Sequence, residues 1–385
     1  MNAARLPRPF LWTFVGALAA PAVALAAPVV VTVEGQPPGS LSGKTVVMDP
    51  GHGIYWHDTY GWTYQRSPIN GLHEDLHTSE IVMDYVRAHL TGAGARVLMT
   101  RSPGRTSVRV TVDEKDADYV ETGTWKTTTN TGLGWKGSYR YAAVSRDGVT
   151  ATATYSASLP ERGDYPVWVY YYAGADRSAR ARFTIHHAGG DTRVLVDQQR
   201  DRSRWVYLGT YTFVPGKPAQ VTLDNFDPGS PTGDDGVVIA DAVRFGVGMS
   251  DYLHDGKPSG KPRWHDESFF YMLDHGAPET VYKTRPVERD SGLYSRALYA
   301  DWQGADAFVS VHTNAATNPN TASGVTSYIH DSNPSPGSAD MQAAIHAELL
   351  RANHKYVASF RDRGTQSGTL TVDSFGVAAN LWWSR

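Results

Sequence analysis

Apolar and polar positions along this chain follow two different periods. Val46-Val47-Met48 is a short unbroken apolar run with β-branched residues, the pattern of a buried strand, and Asp49-Pro50-Gly51 stops it with a turn signature. From Leu72 the period lengthens. Leu72, Leu76, Met83, Val86 and Leu90 recur at helical steps, and Gly92 and Gly94 mark the helix end. Ala95 to Thr100 reads as the next strand. A strand, a helix and a strand of these lengths make one βαβ unit, which predicts a largely parallel sheet.

After Arg101 the period shortens again. Residues 113–246 carry short alternating or aromatic runs separated by Gly, Pro and Asp, among them Tyr165 to Tyr172, Arg182 to His186, Arg193 to Val196, Val206 to Phe213 and Ala219 to Leu223. Strands at such spacing predict an antiparallel β-sandwich. The helical and strand signals resume near Trp264. Ser268 to Leu273 reads as a short helix and Val281 to Arg285 as a strand. Leu293, Ala297 and Ala300 mark a helix face that leads into the apolar strand Ala307 to Val311. Val325 to Ile329 is a further strand. Ser338 reads as an N-cap before a helix with Met341, Ile345, Leu349 and Ala352 on its apolar stripe. Asp362-Arg363-Gly364 reads as a turn and Thr369 to Val372 as a strand. The fold class that follows is α/β, a mostly parallel or mixed sheet flanked by helices, with an all-β sandwich inserted into it. Insertion is cheap where the two ends of a domain lie close together at the surface.

Composition narrows the setting. The chain has 385 residues, 41% hydrophobic and 19% charged, so it is globular, and its net charge of −3 offers no basic field for nucleic acid. There is no cysteine, so disulfides and thiolate metal sites are excluded and any metal must be held by His, Asp or Glu. Residues 1–26 read as an export signal: Arg5 and Arg8 precede an apolar core from Leu11 to Leu25, and Ala24-Leu25-Ala26 matches a cleavage site. Pro21 and the short run count against a full membrane span, so the mature chain has no transmembrane segment. Residues 27–43, with Pro37-Pro38-Gly39-Ser40, read as a lead-in.

The candidate chemistry sits at two strand ends. His52 follows the first strand and its turn. His312 follows Ser310-Val311 at the end of the Ala307 strand. Ligands of open α/β sheets gather at the C-terminal ends of parallel strands, so the two imidazoles are expected to converge. Two His and one carboxylate form a standard catalytic zinc set with a position left open for water. The third donor is Glu74 at the head of the first helix, with Asp75, His77 and Glu80 as rivals. Elsewhere, Trp168-Val169-Tyr170-Tyr171-Tyr172 is read as strand core, with a sugar-stacking platform as the alternative. His186-His187 points to opposite faces of a strand and makes a poor chelate. Asp234-Asp235-Gly236 reads as a turn.

Met48-Asp49-Pro50-Gly51-His52-Gly53, then Glu74, then Val97-Leu98-Met99-Thr100-Arg101, then Ser310-Val311-His312-Thr313-Asn314-Ala315 resemble the zinc-dependent N-acetylmuramoyl-L-alanine amidases in order and spacing, apart from the long insertion after Arg101. The insertion itself resembles the golvesin C-terminal-like domain through Phe183-Thr184-Ile185-His186-His187, Trp205-Val206-Tyr207-Leu208-Gly209 and Asp234 to Phe245.

These resemblances imply an amidase domain in two parts, 44–101 and 265–385, around a golvesin-like sandwich over 113–246. They imply Zn²⁺ held by His52, Glu74 and His312, and an exported enzyme of the periplasm, cell wall or extracellular space. Its substrate would be the muramic acid–L-alanine amide of peptidoglycan, with a wall or glycan ligand for the sandwich. They also imply a catalytic glutamate after the Thr369 to Val372 region. This chain has no Glu after Glu348, which reads as a solvated helix residue, and nothing argues for Asp373, so the catalytic acid stays unassigned. The chain therefore reads as truncated or as catalytically impaired. A wall-binding protein that keeps zinc without turnover, and a zinc peptidase or deacetylase, are the alternatives.

Overall fold

The computed structural model describes residues 28–69, 71–128, 130, 132–228, 236–285, 288–313, 323–332, 334–368 and 377–382. Strand outweighs helix among them. The first segment holds β1 (Val30–Glu34), β2 (Thr45–Asp49), β3 (Ile54–His57), β4 (Gly61–Tyr64), α1 (Glu74–Glu80), a π-helical stretch over Ile81–Val86, α2 (Arg87–Gly92) and β5 (Arg96–Met99). The second holds β6 (Arg109–Asp113), β7 (Tyr119–Thr122), β8 (Lys126–Thr127), β9 (Arg140–Ala143), β10 (Thr152–Ala157) and β11 (Gly163–Tyr171). It continues with β12 (Ala181–His187), β13 (Gly190–Val196), β14 (Arg204–Phe213), β15 (Ala219–Asp224), β16 (Val237–Ala240) and β17 (Ala242–Gly246). The third begins with a small hairpin of β18 (Leu253–His254) and β19 (Lys257–Pro258). It continues through α3 (Ser268–Asp274), α4 (Glu279–Tyr282), α5 (Glu288–Trp302), β20 (Ala307–Thr313), β21 (Gly324–Ile329), α6 (Ser338–His354), β22 (Asp362–Ser367) and β23 (Val377–Trp382).

A six-stranded mixed sheet runs in the order β22-β21-β23-β20-β2-β5. β2 pairs in parallel with both β5 and β20, β20 with β23, and β21 with β22, while β21 and β23 are antiparallel. The sheet thus joins strands from both sides of the 109–246 segment. Side chains alternate across it as strand geometry requires. Val46, Met48, Val97 and Met99 pack with Val82 and Met83 of the first helix. Val47, Leu98 and Phe308 pack on the other face with Ala297, Ala300 and residues of α3.

The helix over 74–92 buries Glu74, Asp75, Thr78, Ser79, Val82, Met83 and Arg87. These positions step by four, and an α-helix rotates about 40° away per such step. A π turn takes an extra residue per turn and keeps the row facing the sheet. The buried row overlaps the Leu72–Leu90 stripe read from periodicity only in part: it shares Met83, and Val86 and Leu90 pack at its margin. Leu72 is 46% exposed, and the first two turns bury polar side chains instead.

The β6–β17 segment builds a sandwich. A six-stranded sheet in the order β1-β13-β12-β15-β10-β7 faces a four-stranded sheet in the order β14-β11-β17-β6, with a third sheet of β16-β9-β8. Tyr165, Val167, Val169 and Tyr171 of β11 fill the core between them, with Phe183, Ile185, Val206, Leu208, Val243 and Phe245. The alternate residues face away from that core. Trp168, Trp205, Tyr207 and Ala242 pack against Phe269, Phe270, Met272 and Tyr299 of the helices. Arg244 lies 4.5 Å from the ring centroids of both Trp168 and Trp205 and donates to Asp274. The aromatic run of β11 thus divides between the sandwich core and the seam that joins the sandwich to α3 and α5. Buried Trp168 is part of that seam and not a free platform.

Several local expectations change. Val30–Glu34, inside the lead-in, pairs antiparallel with β13 as an edge strand of the sandwich. The aromatic loop after His52 contains the β3–β4 hairpin. Val281 belongs to the short helix α4, which begins after Pro278, not to a strand. Asp362-Arg363-Gly364 lies in β22. Gly337 caps α6 in the left-handed conformation, and Ser338 is its first buried residue. The buried face of α6 is Ser338, Gln342 and His346 in place of the Met341–Ala352 stripe. Gln342 donates to the carbonyls of Ser327 and Gln366, and His346 bridges Ser327 Oγ and Asp362. Polar pins thus hold α6 to β21 and β22. The export signal, Asn314-Ala315, Asp234-Asp235, Thr369 to Val372 and Asp373 lie outside the described residues.

Candidate metal centre

Parallel pairing sets the ends of β2 and β20 side by side, with Asp49 opposite Ser310. His52 lies on the turn after β2, and His312 is in the last part of β20. Gly51, at φ 76°, makes that turn possible, and a Cβ there would lie 2.6 Å from Thr78 Oγ1. Glu74, the first residue of α1, completes the group. One donor atom each from His52, Glu74 and His312 lies within 4.8 Å of the others. The structure therefore brings together the three residues named from the sequence. His77 and Glu80, the rivals, are absent from the cluster, and Asp75 turns to Gly53, accepting from its backbone N–H at 2.5 Å.

Contacts inside the centre orient each donor. Glu74 Oε1 is 3.0 Å from His312 Nδ1 and accepts from the Thr313 backbone N–H at 3.0 Å. It also lies 3.5 Å from His52 Nε2. Arg66 Nε approaches Glu74 Oε2 to 3.4 Å. The two rings meet edge to face with centroids 4.6 Å apart. Both ring nitrogens of His52 are buried without a hydrogen bond, and Glu74 Oε2 has only the longer Arg66 ion pair. A buried polar atom left unpaired costs about 1–3 kcal/mol, so these atoms point to a bound partner. Nitrogen and carboxylate donors in this set fit zinc.

The charges suit that role. Burial, reinforced by the charges of His312, Arg296, Arg66 and Arg101, holds the His52 pKa well below the ordinary histidine value, so His52 is kept neutral, the form a metal ligand requires. Burial also works against a charged His312, but its contacts with Asp49 and Glu74 outweigh it and raise its pKa.

Three residues that carried no role in the sequence reading support the centre. Asp49 is fully buried and accepts from Thr100 Oγ1, Ser310 Oγ and Arg296. Burial alone would raise its pKa, but Arg296 and His312 hold it far below the usual carboxylate range. Arg296 also comes within 3.4 Å of His312 Nε2. Arg101 is fully buried and donates to the carbonyls of Pro50, Asp75, Trp264, His265 and Asp266. It thereby ties the His52 loop, the head of α1 and the turn before α3 into one piece. The signal for these roles was present, since Asp49 and Arg101 stand inside the quoted motifs, but their partners come from distant segments. Asp266 lies beside the same loop, bridged to Ile54, and burial pushes its carboxyl up to about 7.

Residues 271–378 match the family model of the N-acetylmuramoyl-L-alanine amidases. That match includes His312 of the amidase-like segment, whereas His52 and Glu74 precede it. Residues 110–247 match the model of the golvesin C-terminal domain. The xanthan lyase of Bacillus sp. (strain GL1) is 36% identical over 137 residues, which are 35% of this chain and 14% of that protein. A solved Paenibacillus xanthan lyase is similar at 26% identity and a TM-score of 0.33, covering 36% of this chain and 13% of that one. A family 35 carbohydrate-binding module from Clostridium thermocellum is similar at 11% identity and a TM-score of 0.27, covering 36% of this chain and 98% of that one. The chain thus spans about a seventh of the xanthan lyases that it matches.

Proposed function

We propose that this protein is an exported, zinc-dependent N-acetylmuramoyl-L-alanine amidase that hydrolyses the muramic acid–L-alanine amide of peptidoglycan. In this reading its catalytic α/β domain is interrupted by a golvesin-like sandwich that holds it on a wall glycan. The observation that carries the proposal is the buried cluster of His52, Glu74 and His312 with donor atoms left unpaired. The amidase family match supports the reaction class.

His52, Glu74 and His312 would hold Zn²⁺, which when bound activates water near neutral pH and polarises the scissile carbonyl. Neutral His52 is ready to donate its lone pair. Glu74 is held in register by the Thr313 N–H, and the Asp49–Arg296 pair fixes the His312 ring from behind. Such supporting contacts orient ligands and tune their basicity. Arg101 keeps the His52 loop and the head of α1 from separating. Export rests on the pattern of residues 1–26, and no helix among the described residues is long and apolar enough to cross a membrane.

Zymography on purified sacculi tests the reading, with and without chelator, comparing the chain with His52→Ala. Clearing that is lost with chelator and in the variant, with free stem peptide released, is the expected result. Stoichiometric zinc without clearing would make the protein a non-catalytic wall binder. Products other than glycan and stem peptide would make it a different zinc hydrolase.

A further inference from the structure

A second group of buried donors lies in the sandwich, away from the histidines. Asp113, Glu114 and Asp241 each offer a carboxylate oxygen within 4.8 Å of the others, and all three are buried. Asp113 ends β6, and Asp241 is the single residue between β16 and β17. The antiparallel register that pairs Asp113 with Ala242 brings these acids together where the chain passes from one sheet to the next.

The hydrogen bonds in this group leave oxygens over. Both oxygens of Asp241 share the Trp135 backbone N–H at 3.0 and 3.1 Å. Ser138 Oγ donates to Glu114 Oε1. Asp113 Oδ1 accepts from the Lys115 N–H at 3.3 Å and lies 3.8 Å from Lys136 Nζ, which is itself engaged at 3.0 Å by Asp116. Asp113 Oδ2 and Glu114 Oε2 are buried with no donor to meet them, and the two neighbouring carboxyls contact each other. Asp113 is fully buried and Glu114 nine-tenths buried, so neither oxygen is paired with solvent. Among the described residues no guanidinium forms an ion pair with the group, unlike Asp274, whose burial is answered by Arg244 and Arg263. A cavity of about 400 Å³ opens beside Glu114, lined also by Tyr119, Ser138 and Arg140.

We propose that Asp113, Glu114 and Asp241 form a site for a hard divalent cation, calcium in the first instance. Its role is to tie the β6 and β17 strands to the loop that carries Trp135. The donors are all oxygen, the set that hard cations take, with none of the nitrogen or sulfur that selects zinc. The ion would meet both unpaired oxygens and balance three acids in a buried space. It would also set the loop that holds the Trp135 ring 4.8 Å from Trp205 and 5.3 Å from Tyr170, at the edge of the seam with α3. The site is independent of the catalytic reading, because it shares no residue with the histidine centre.

Terbium luminescence provides the test. The full chain is stripped with chelator, reloaded with zinc alone so that the histidine centre is filled, and titrated with Tb³⁺ under tryptophan excitation. Trp135 should sensitise saturable emission that Ca²⁺ displaces, and Asp113→Asn and Glu114→Gln should each lose most of it. Ca²⁺ should also raise the Tm of the zinc-only chain by about 5 °C. This second readout needs no variant, so a variant that fails to fold does not blunt the test. Emission no greater than that of the two variants, with the same Tm for the zinc-only chain with and without Ca²⁺, would overturn the site. Zinc content and sacculus clearing are read on the same samples, so failure of this site is separable from failure of the amidase reading.

Discussion

The histidine centre and the acid cluster solve the same placement problem in two ways. Both gather donors where strands start or stop, and both leave buried atoms unpaired. At the histidine centre the strands are parallel, so two C-terminal ends meet and one helix supplies the third donor. At the acid cluster the strands are antiparallel, so the end of β6 meets the start of β17. The first mixes nitrogen with oxygen and is braced by Asp49, Arg296 and Arg101. The second is all oxygen, braced by the backbone N–H groups of Trp135 and Lys115 and the hydroxyl of Ser138. The comparison teaches that donor chemistry separates the two sites, while strand direction decides which segments can supply the donors.

The largest expected effect breaks the two apart. His52→Ala removes a proposed zinc donor and should lower sacculus clearing by roughly 10³-fold, several kcal/mol of barrier. Zinc measured by atomic absorption should fall below one per chain, while the calcium-induced rise in Tm is unchanged. Loss of both responses would join the sites that the comparison separates. Arg101→Met comes next. It leaves five buried carbonyls without their donor and should cost about 3–5 kcal/mol in urea unfolding, the size expected when a buried charged group is removed from its partners. Asp49→Asn is milder. It keeps the shape and weakens the support of His312, so zinc affinity should fall about 10–100-fold by competition with a chromophoric chelator, with terbium emission untouched.

The smallest effect sharpens the contrast between acids with and without a guanidinium. Burial would raise the Asp274 pKa, but Arg244 and Arg263 hold it below the ordinary carboxylate range. A depressed folded pKa stabilises above the unfolded value, and that stability is lost as pH falls through the folded one. The pair should therefore contribute a constant amount, about 1–2 kcal/mol, from pH 8 to about pH 4, and lose it only below. In Asp274→Asn this acid-range loss should be absent from the urea midpoint profile. By contrast, burial without such a partner pushes Asp241 up to about 8.

Much of the histidine cluster was legible in the chain, because its residues stand near a turn, a helix start and the end of a strand. Asp-Pro-Gly before His52 announces a strand end, whereas the Ala307 strand runs on past Val311 through His312 to Thr313. The buried faces of the helices were less legible. Periodicity finds apolar stripes, yet the first helix turns Glu74, Asp75, Thr78 and Ser79 inward, and α6 turns Gln342 and His346 inward. Polar residues can be buried only where partners from other segments satisfy them, and those partners cannot be read locally. The Trp168–Tyr172 run shows the same limit. Alternation says that its residues face two ways, but not that the outward face meets α3.

Local sequence sets the periods of strand and helix, the place of the sandwich signals between two α/β-like segments, the absence of thiol chemistry, and the donors that strand ends would present. Those follow from covalent connectivity and side-chain type, which act over a few residues. Only the tertiary structure decided that Val30–Glu34 completes the edge of a sandwich sheet, that Arg101 spans three segments, and that Asp113 and Glu114 meet Asp241 more than a hundred residues later. Those outcomes depend on strand register and on which buried charges find partners, and both are settled by the packing of the whole chain.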